Sequence, residues 1–298
     1  MPSHSCANKT IVVIANPTAG RHARKRLTEA VERLGAAGAK VVVQETSCPG
    51  EATPLAREAA AGHPHCVAAA GGDGTINEVA NGLVRTSTPL GVLPMGTANL
   101  LARELNVNGR LAKAVELLLE GSPRPASAGR IGNSYFLLMA GVGFDGEVVH
   151  RVRPALKKVL GPVAYVVAGI RALRAWPVPE LTITLDDDIR LSGCHTVIGK
   201  GNYYGGPFHV TPGVHVTDPA FEVAVFRGAS RHELLADALR IGLGRHARSR
   251  NLVLRKAHRV SVTAVQPAHV QIDGDAFGTL PLYAEVAADV LRIMHPPR

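Results

Sequence analysis

Residues 9–119 alternate strand-like and helix-like segments, and this alternation limits the fold of the chain more than any other feature. Short runs rich in β-branched and small apolar residues lie between longer stretches whose apolar residues recur at helical spacing. This order is typical of a parallel sheet covered by helices. The predicted strands are residues 9–15, 40–45, 66–70 and 90–93, and the predicted helices are residues 24–34, 53–61, 75–84 and 111–119.

The second half of the chain has a different pattern. After a linker predicted at residues 121–125, strand-like runs are joined mostly by short turns, which indicates an antiparallel, sandwich-like domain. A helical insertion at residues 147–176 carries basic residues around an apolar centre. The predicted strands are residues 134–140, 181–185, 189–191, 223–226, 259–264 and 270–272.

The length of the chain favours two domains, because 298 residues are many for one compact domain. We predict a Rossmann-like α/β domain over residues 1–125, to which a last strand at about 289–298 can return. We predict an antiparallel β-sandwich domain over residues 126–288.

A glycine-rich loop, Gly71-Gly72-Asp73-Gly74-Thr75, lies directly between a predicted strand and a predicted helix. Glycines let the backbone approach a phosphate closely, and a helix N-terminus presents free N–H groups to it. Asp73 adds a carboxylate where a magnesium–nucleotide would need one. Taken alone, the loop could also be a tight turn with Asp73 as the helix N-cap.

Two further loops follow predicted strands, at residues 16–20 (NPTAG) and 94–99 (PMGTAN). Ligands of open α/β sheets bind at the carboxyl ends of the strands, so we expect all three loops to converge on one crevice. None of the loops carries the lysine of a P-loop. The pattern therefore predicts nucleotide phosphates held mainly by backbone amides and hydroxyl groups.

The net charge of +9 requires an anionic partner, and charge alone does not separate a membrane from a nucleic acid backbone. With six Phe, five Tyr and one Trp, the chain has few residues on which bases could stack, which argues against nucleic acid. Basic clusters at residues 21–26, 245–250 and 255–259 favour peripheral contact with an anionic membrane surface. No apolar stretch approaches the ~18 residues that span a bilayer.

Other candidate sites in the sequence are weaker. Residues 186–188 are three aspartates, which an exposed hairpin turn explains better than a metal site. The segment 141–146 (GVGFDG) matches G-x-G-x-x-G, but no acidic residue lies between Glu147 and Glu180 to hold a ribose. The histidines lack a third ligand at metal-binding spacing. Four scattered cysteines and a polar N-terminus indicate a cytoplasmic protein.

The series NPTAG, GGDGTINEVANG, GTANLLAR, GVGFDG, NYYGGPF and IDGD runs in one order from Asn16 to Asp275. This ordered set resembles the diacylglycerol kinase catalytic family, which includes bacterial lipid kinases and the sphingosine and ceramide kinases. GGDGT alone is shared with NAD kinases and phosphofructokinases. The resemblance implies an ATP-binding α/β domain, a β-sandwich lipid domain and an active site between them.

The resemblance also implies which residues contact ATP and its Mg²⁺. These residues are Asn16, Pro17, Thr18, Ala19, Gly20, Thr46, Gly71, Gly72, Asp73, Gly74, Thr75, Asn77, Glu78 and Thr97.

Three aspartates take catalytic roles by the same resemblance. Asp275 corresponds to the general base, although this chain has Asp-Gly-Asp where the family has Asp-Gly-Glu. Asp145 would lie near the acceptor hydroxyl, and Asp73 would support Asp275. Asp218 resembles the aspartate of a structural magnesium loop, Asp-Gly-x-Leu, which here continues as Pro-Ala-Phe. Bacterial diacylglycerol kinases usually have aspartate where this chain has Leu100, a residue more typical of the sphingosine and ceramide kinase branch.

We therefore predict an ATP-dependent lipid kinase that phosphorylates diacylglycerol or a sphingoid- or ceramide-type lipid at the cytoplasmic membrane surface. Two alternatives stay open. One is a kinase of a soluble substrate, related to NAD kinases. The other is a catalytically weak lipid-binding regulatory protein, which the departures at Leu100 and Asp275 suggest. The sequence also leaves a homodimer open.

Overall fold

The computed structural model describes residues 9–20, 22–151, 178–228, 230–245 and 249–297. The chain divides into two compact units. Unit 1 comprises Met1–Ser127 with Ala288–Arg298, and unit 2 comprises Ala128–Ala287.

Strands make up much of both units. In chain order they are β1 (Thr10–Ala15), β2 (Lys40–Glu45), β3 (Cys66–Gly71), β4 (Leu90–Pro94), β5 (Ser122–Ile131), β6 (Ser134–Phe136), β7 (Met139–Val142), β8 (Leu181–Leu185), β9 (Ile189–Gly193), β10 (His195–Gly199), β11 (Tyr203–Tyr204), β12 (Phe208–His209), β13 (Phe221–Phe226), β14 (Leu252–Ala257), β15 (Arg259–Ala264), β16 (His269–Ile272), β17 (Asp275–Thr279) and β18 (Leu282–His295). The helices are α1 (Ala23–Ala36), α2 (Ala52–Ala61), α3 (Asp73–Leu83), α4 (Leu100–Glu104), α5 (Leu111–Glu120), α6 (Phe144–Arg151) and α7 (Arg231–Gly242).

Unit 1 contains a parallel sheet in the order β2-β1-β3-β4, to which the end of β18 adds in parallel beside β4. Strands β3 and β4 are fully buried, as expected of inner strands of a sheet covered by helices. The predicted strand–helix alternation is therefore confirmed. The five-residue helix α4 had no prediction, because it is too short for helical periodicity to appear in the sequence.

The linker predicted at residues 121–125 is wrong, because most of this segment forms the start of β5. Its prolines suggested a break, yet the φ angle that proline fixes is compatible with an extended edge strand. A side chain at Gly121 would come within 2.7 Å of the His295 carbonyl oxygen. The segment thus runs alongside the last strand, a partner from the other end of the chain that local sequence does not reveal.

Unit 2 is an antiparallel β-sandwich, as predicted. One sheet has the order β14-β13-β10-β7-β16-β17, and the other includes β9, β8, β15 and the first part of β18, with β5 and β6. Apolar side chains from both sheets form one buried cluster, in which the rings of Phe136 and Phe221 stack with centroids 5.7 Å apart. The predicted strand 134–140 is two strands, β6 and β7, because the intervening backbone bonds to the Asp273 side chain.

The turn between β8 and β9 contains the three aspartates, as predicted. Asp186 and Asp187 have left-handed φ angles of 50° and 72°, and the Asp186 carboxylate accepts hydrogen bonds from the His258 and Arg259 N–H groups. Across the described residues, no cluster of three or more His, Cys, Asp or Glu side chains could hold a metal ion.

Most of the predicted helical insertion, residues 152–176, lies outside the described residues; the described part is the end of α6. None of the described helices combines the length and apolar character needed to cross a bilayer.

Candidate active site

The three glycine-rich loops of unit 1 meet at the carboxyl edge of its sheet. Gly20, with a left-handed φ of 138°, lies so close to the Met95 carbonyl oxygen that a Cβ atom would approach it to 2.7 Å. A Cβ atom on Gly96 would lie 2.6 Å from the Gly72 Cα atom. Asn16 Nδ2 donates to Thr75 Oγ1 at 3.3 Å. The predicted convergence is confirmed, and glycine is required at the points where the backbones touch.

Helix α3 begins inside the GGDGT loop. Gly72 is the N-cap residue and Asp73 is the first helical residue, so the alternative with Asp73 as the N-cap is wrong. The first turn of an α-helix leaves its N–H groups without partners in the helix, which gives this end a partial positive charge. Beside it, Gly71 faces the Thr75 side chain at a distance that leaves no space for a Cβ atom. These features give a compact, backbone-lined end of the helix whose partial positive charge suits an anion.

The Asp73 carboxylate holds the third loop in position. It accepts hydrogen bonds from the Asn99 N–H at 3.0 Å and the Leu100 N–H at 2.6 Å. Asn99 has a left-handed φ of 48°, and its side chain bonds both the N–H and the carbonyl oxygen of Gly96.

Other predicted ATP contacts lie around the same edge. Thr18 bonds to the Asn16 side chain through both its N–H and its hydroxyl group, and Pro17 and Ala19 lie in the same turn. Thr46 donates to the Ala15 carbonyl oxygen, which places it at the end of the neighbouring strand. Gly74 is half-buried in the first turn of α3, and Thr97 is exposed.

Two further predicted ATP contacts, Glu78 and Asn77, also stabilise helices. The Glu78 carboxylate accepts from the Ala52 N–H at 3.1 Å, and the Glu78 carbonyl oxygen accepts from the Thr53 hydroxyl. Glu78 thus supplies a hydrogen-bond acceptor for an N–H group in the first turn of α2. Asn77 accepts hydrogen bonds from Asn81, one turn along α3.

In unit 2, Asp145 is the centre of a polar network. Its carboxylate accepts from the Tyr204 hydroxyl group and from Gln271 Nε2, the latter at 2.6 Å. The Gln271 side-chain oxygen, Oε1, accepts from the Gly274 N–H at 2.8 Å. Burial and the adjacent Asp145 raise the pKa of Tyr204 well above its ordinary value, so this hydroxyl stays a hydrogen-bond donor. A Cβ atom on Gly141 would lie 1.9 Å from the Asp145 carboxylate, so glycine is needed there.

The Asp-Gly-Asp segment is a tight hairpin between β16 and β17. Asp273 and Gly274 have φ angles of 46° and 86°, as a two-residue type I′ turn requires. The buried Asp273 carboxylate accepts from the N–H groups of Leu137, Leu138 and Met139 at 2.8–2.9 Å, which explains the break between β6 and β7. Asp275, the first residue of β17, is exposed. The hairpin therefore contains one buried carboxylate that bonds to the backbone and one carboxylate that is exposed.

Comparison with known proteins identifies the family. Residues 10–131 match the diacylglycerol kinase catalytic domain, and residues 139–295 match the YegS C-terminal NAD kinase beta sandwich-like domain. The diacylglycerol kinase of Bacillus subtilis (strain 168) is 32% identical over 274 residues, which cover 90% of each chain. The chain belongs to the diacylglycerol kinase family.

Further similarities within the diacylglycerol kinase family support this assignment. A diacylglycerol kinase of Staphylococcus epidermidis is 29% identical over 90% of this chain and 86% of its own length. The crystal structure of a diacylglycerol kinase from Bacillus anthracis str. Sterne has the same fold, with a TM-score of 0.80 and 23% identity over 99% of both chains. The resemblance seen in the ordered motifs is therefore confirmed, and the chain is a kinase of this family.

The loop around Asp218, where the diacylglycerol kinase resemblance implies a structural magnesium ion, already contains a cationic side chain. Lys200 is fully buried, and its Nζ donates to the carbonyl oxygens of His215 and Val216, both at 3.1 Å. The Asp218 carboxylate accepts from the His215 N–H at 3.0 Å. Since an ammonium group lies on the loop carbonyls and the carboxylate bonds to the backbone, these residues do not fit a metal ion.

Sequence reasoning missed three residues that organise the unit 2 sites: Tyr204, Gln271 and Lys200. Tyr204 belongs to the NYYGGPF motif, which gave a partial signal, but no role followed from it. Gln271 and Lys200 are single polar residues beside or within apolar runs. Their partners lie far away in sequence or in irregular loops, so neither spacing nor periodicity points to them.

Proposed function

We propose that this protein is an ATP-dependent lipid kinase, which transfers the γ-phosphoryl group to a hydroxyl group of a membrane lipid. The observation that carries the proposal is the contact of three glycine-rich loops around the N-terminus of α3. A side chain at Gly71 or Gly96 would disturb this backbone-lined site, as expected for a place where phosphates approach the main chain. Family membership supports the reaction class.

Unit 1 would bind the nucleotide. The N–H groups at the start of α3, with Asn16, Thr18 and Thr97, suit phosphate and hydroxyl partners. Asp73 would contribute one carboxylate to the Mg²⁺ that arrives with ATP, while it keeps its bonds to the third loop. Because transition states of phosphoryl transfer are loose, positioning and charge neutralisation supply most of the rate acceleration.

Unit 2 would supply the acceptor side of the reaction. As the lipid oxygen forms its bond to the γ-phosphorus, the bond to the ADP oxygen breaks and the hydroxyl proton passes to the Asp275 carboxylate. The Asp145–Gln271–Gly274 chain of hydrogen bonds would hold the hairpin that carries Asp275. Asp145 lies within this network, consistent with a place near the acceptor hydroxyl.

For the substrate we propose diacylglycerol first, because the relatives named above are diacylglycerol kinases. A sphingoid- or ceramide-type lipid is the second candidate, because this chain has Leu100 at the position where bacterial diacylglycerol kinases usually have aspartate. The protein would act from the cytoplasm, in peripheral contact with the membrane surface.

Purified protein, Mg²⁺ and γ-labelled ATP are incubated with micelles that contain diacylglycerol, ceramide or sphingosine, and separately with NAD⁺ alone. Thin-layer chromatography resolves the labelled products. We expect label in the phosphorylated lipid, strong loss of that label with Asp275→Asn, and normal product with Asp188→Asn, a matched change on the exposed β8–β9 turn. Label in NADP⁺ alone would make the protein a soluble-substrate kinase, and no label with any acceptor would contradict the proposal.

A further inference from the structure

Helix α7 buries Leu234 but exposes a row of three other leucines, and it buries a carboxylate. Leu235, Leu239 and the C-cap residue Leu243 are 50%, 60% and 69% exposed, and their spacing of four residues places them in one row. Asp237 is only 3% exposed. A surface helix of a globular domain normally turns its apolar stripe inward and its charges outward.

Hydrogen bonds on the inner side of α7 fix this orientation. The Asp237 carboxylate accepts from the Ser249 hydroxyl group at 2.7 Å. Glu233 and Ser230 form a capping box, and Glu233 also accepts from Asn251 Nδ2 at 3.0 Å. Rotating the leucines inward would break these bonds, so the exposed leucine row is a property of the fold.

The charges near the leucine row are unevenly distributed. Glu233 and Asp237 are engaged on the inner side of the helix, as described above. Arg231, four residues before Leu235 and so in the same row, is exposed, and so is Arg245, two residues after Leu243. The surface formed by the leucine row and these two arginines, the α7 surface, therefore combines apolar area with positive charge.

We propose that the α7 surface docks the protein on an anionic lipid bilayer. The leucine row would enter the boundary between headgroups and acyl chains, and the arginines would lie at the level of the phosphates. This inference rests on the proposed function, because a kinase of a membrane lipid has to reach its substrate at a bilayer surface. A second copy of the chain fits less well, since a symmetric contact would bring the same arginines together.

The test measures binding to vesicles in the absence of ATP. Wild type is sedimented with phosphatidylcholine vesicles that contain or lack phosphatidylglycerol, and compared with the triple variant Leu235→Gln, Leu239→Gln, Leu243→Gln. We expect the triple variant to lower the partition coefficient on anionic vesicles roughly 10²-fold, because three apolar side chains no longer leave water. Val265→Gln, a change at another fully exposed apolar residue, should leave binding unchanged.

Salt separates the two contributions to binding. Arg231→Gln with Arg245→Gln should weaken binding severalfold at low salt and have little effect at high salt, where surface charges are screened. The loss in the leucine variant should persist at high salt. Equal binding by the wild type and the leucine variant would overturn the proposal, as would equal losses in the leucine variant and Val265→Gln.

Two controls distinguish membrane docking from a defect in catalysis and from self-association. Phosphorylation of a short-chain, water-soluble diacylglycerol should be normal in the leucine variant, so docking and catalysis can fail independently. Sedimentation velocity without lipid should give the same mass for the wild type and the leucine variant. A wild-type dimer that the triple substitution converts to a monomer would assign the α7 surface to a second copy and overturn the membrane assignment.

Discussion

The pairs Asp73-Gly74 in unit 1 and Asp273-Gly274 in unit 2 look alike in sequence but use their aspartates differently. Asp73 accepts two backbone N–H groups from a neighbouring loop and is also the proposed metal-facing carboxylate. Asp273 is buried and accepts three backbone N–H groups, whereas the exposed Asp275 is the proposed general base. In the proposed mechanism one region therefore assigns structure and chemistry to a single carboxylate, and the other divides them between two.

The largest expected effect is at Asp73. In Asp73→Asn the side chain keeps one oxygen, so one of the two N–H groups loses its acceptor and the metal-facing charge is lost. We expect phosphoryl transfer to be abolished and the free energy of unfolding to fall by about 1 kcal/mol. Turnover above about a tenth of wild type, measured with saturating lipid, would contradict a role for Asp73 in transfer.

Substitution of Asp273 should lower the stability of the protein and should change catalysis only indirectly. Asparagine tolerates the left-handed φ of this position, so Asp273→Asn preserves the turn. It removes the charge and one acceptor from three buried N–H groups, and we expect a loss of about 2 kcal/mol in the free energy of unfolding. Urea unfolding measures this loss, with Asp275→Asn as the matched control. Equal stability of the two variants would contradict the proposal that Asp273 has a structural role and Asp275 a catalytic one.

Lys200 extends the comparison to a buried charged side chain that donates to backbone carbonyl oxygens. In Lys200→Met the carbonyl oxygens of His215 and Val216 lose this donor, and we expect a loss of about 2 kcal/mol in stability. The melting temperature of the wild type without nucleotide should be unchanged by Mg²⁺ or EDTA. A rise in melting temperature with Mg²⁺ alone would mean that the Asp218 loop binds metal after all.

Much of the fold followed from the sequence because the relevant signals were local. Strand–helix alternation and loops such as NPTAG can be recognised from a few neighbouring residues. The failures involve partners distant in the chain. The segment 121–125 reads as a linker in the sequence because its partner strand, β18, lies at the far end of the chain, and Lys200 gives no signal because its burial depends on packing. The assignment of Asp73 as the N-cap failed by one residue, since glycine also serves that position.

A smaller effect is expected at Gln271, which connects Asp145 to the hairpin. Gln271→Met has a similar length but breaks both hydrogen bonds. Because the hairpin would then be less well positioned, we expect kcat to fall roughly tenfold with an unchanged KM for ATP. Full activity in Gln271→Met, with normal folding by circular dichroism, would exclude this network from positioning Asp275.

The most direct test of the central claim is the kcat for lipid phosphorylation in Asp275→Asn and Asp275→Glu, measured together with their melting temperatures. If Asp275 is the general base, Asp275→Asn should lower kcat roughly 10²- to 10⁴-fold with little change in ATP affinity. Its melting temperature should fall less than that of Asp273→Asn, because Asp275 is exposed and Asp273 is buried. Asp275→Glu restores the residue usual in the family and should retain activity. Near-normal turnover in Asp275→Asn would contradict the account and move the base to Asp73 or Asp145.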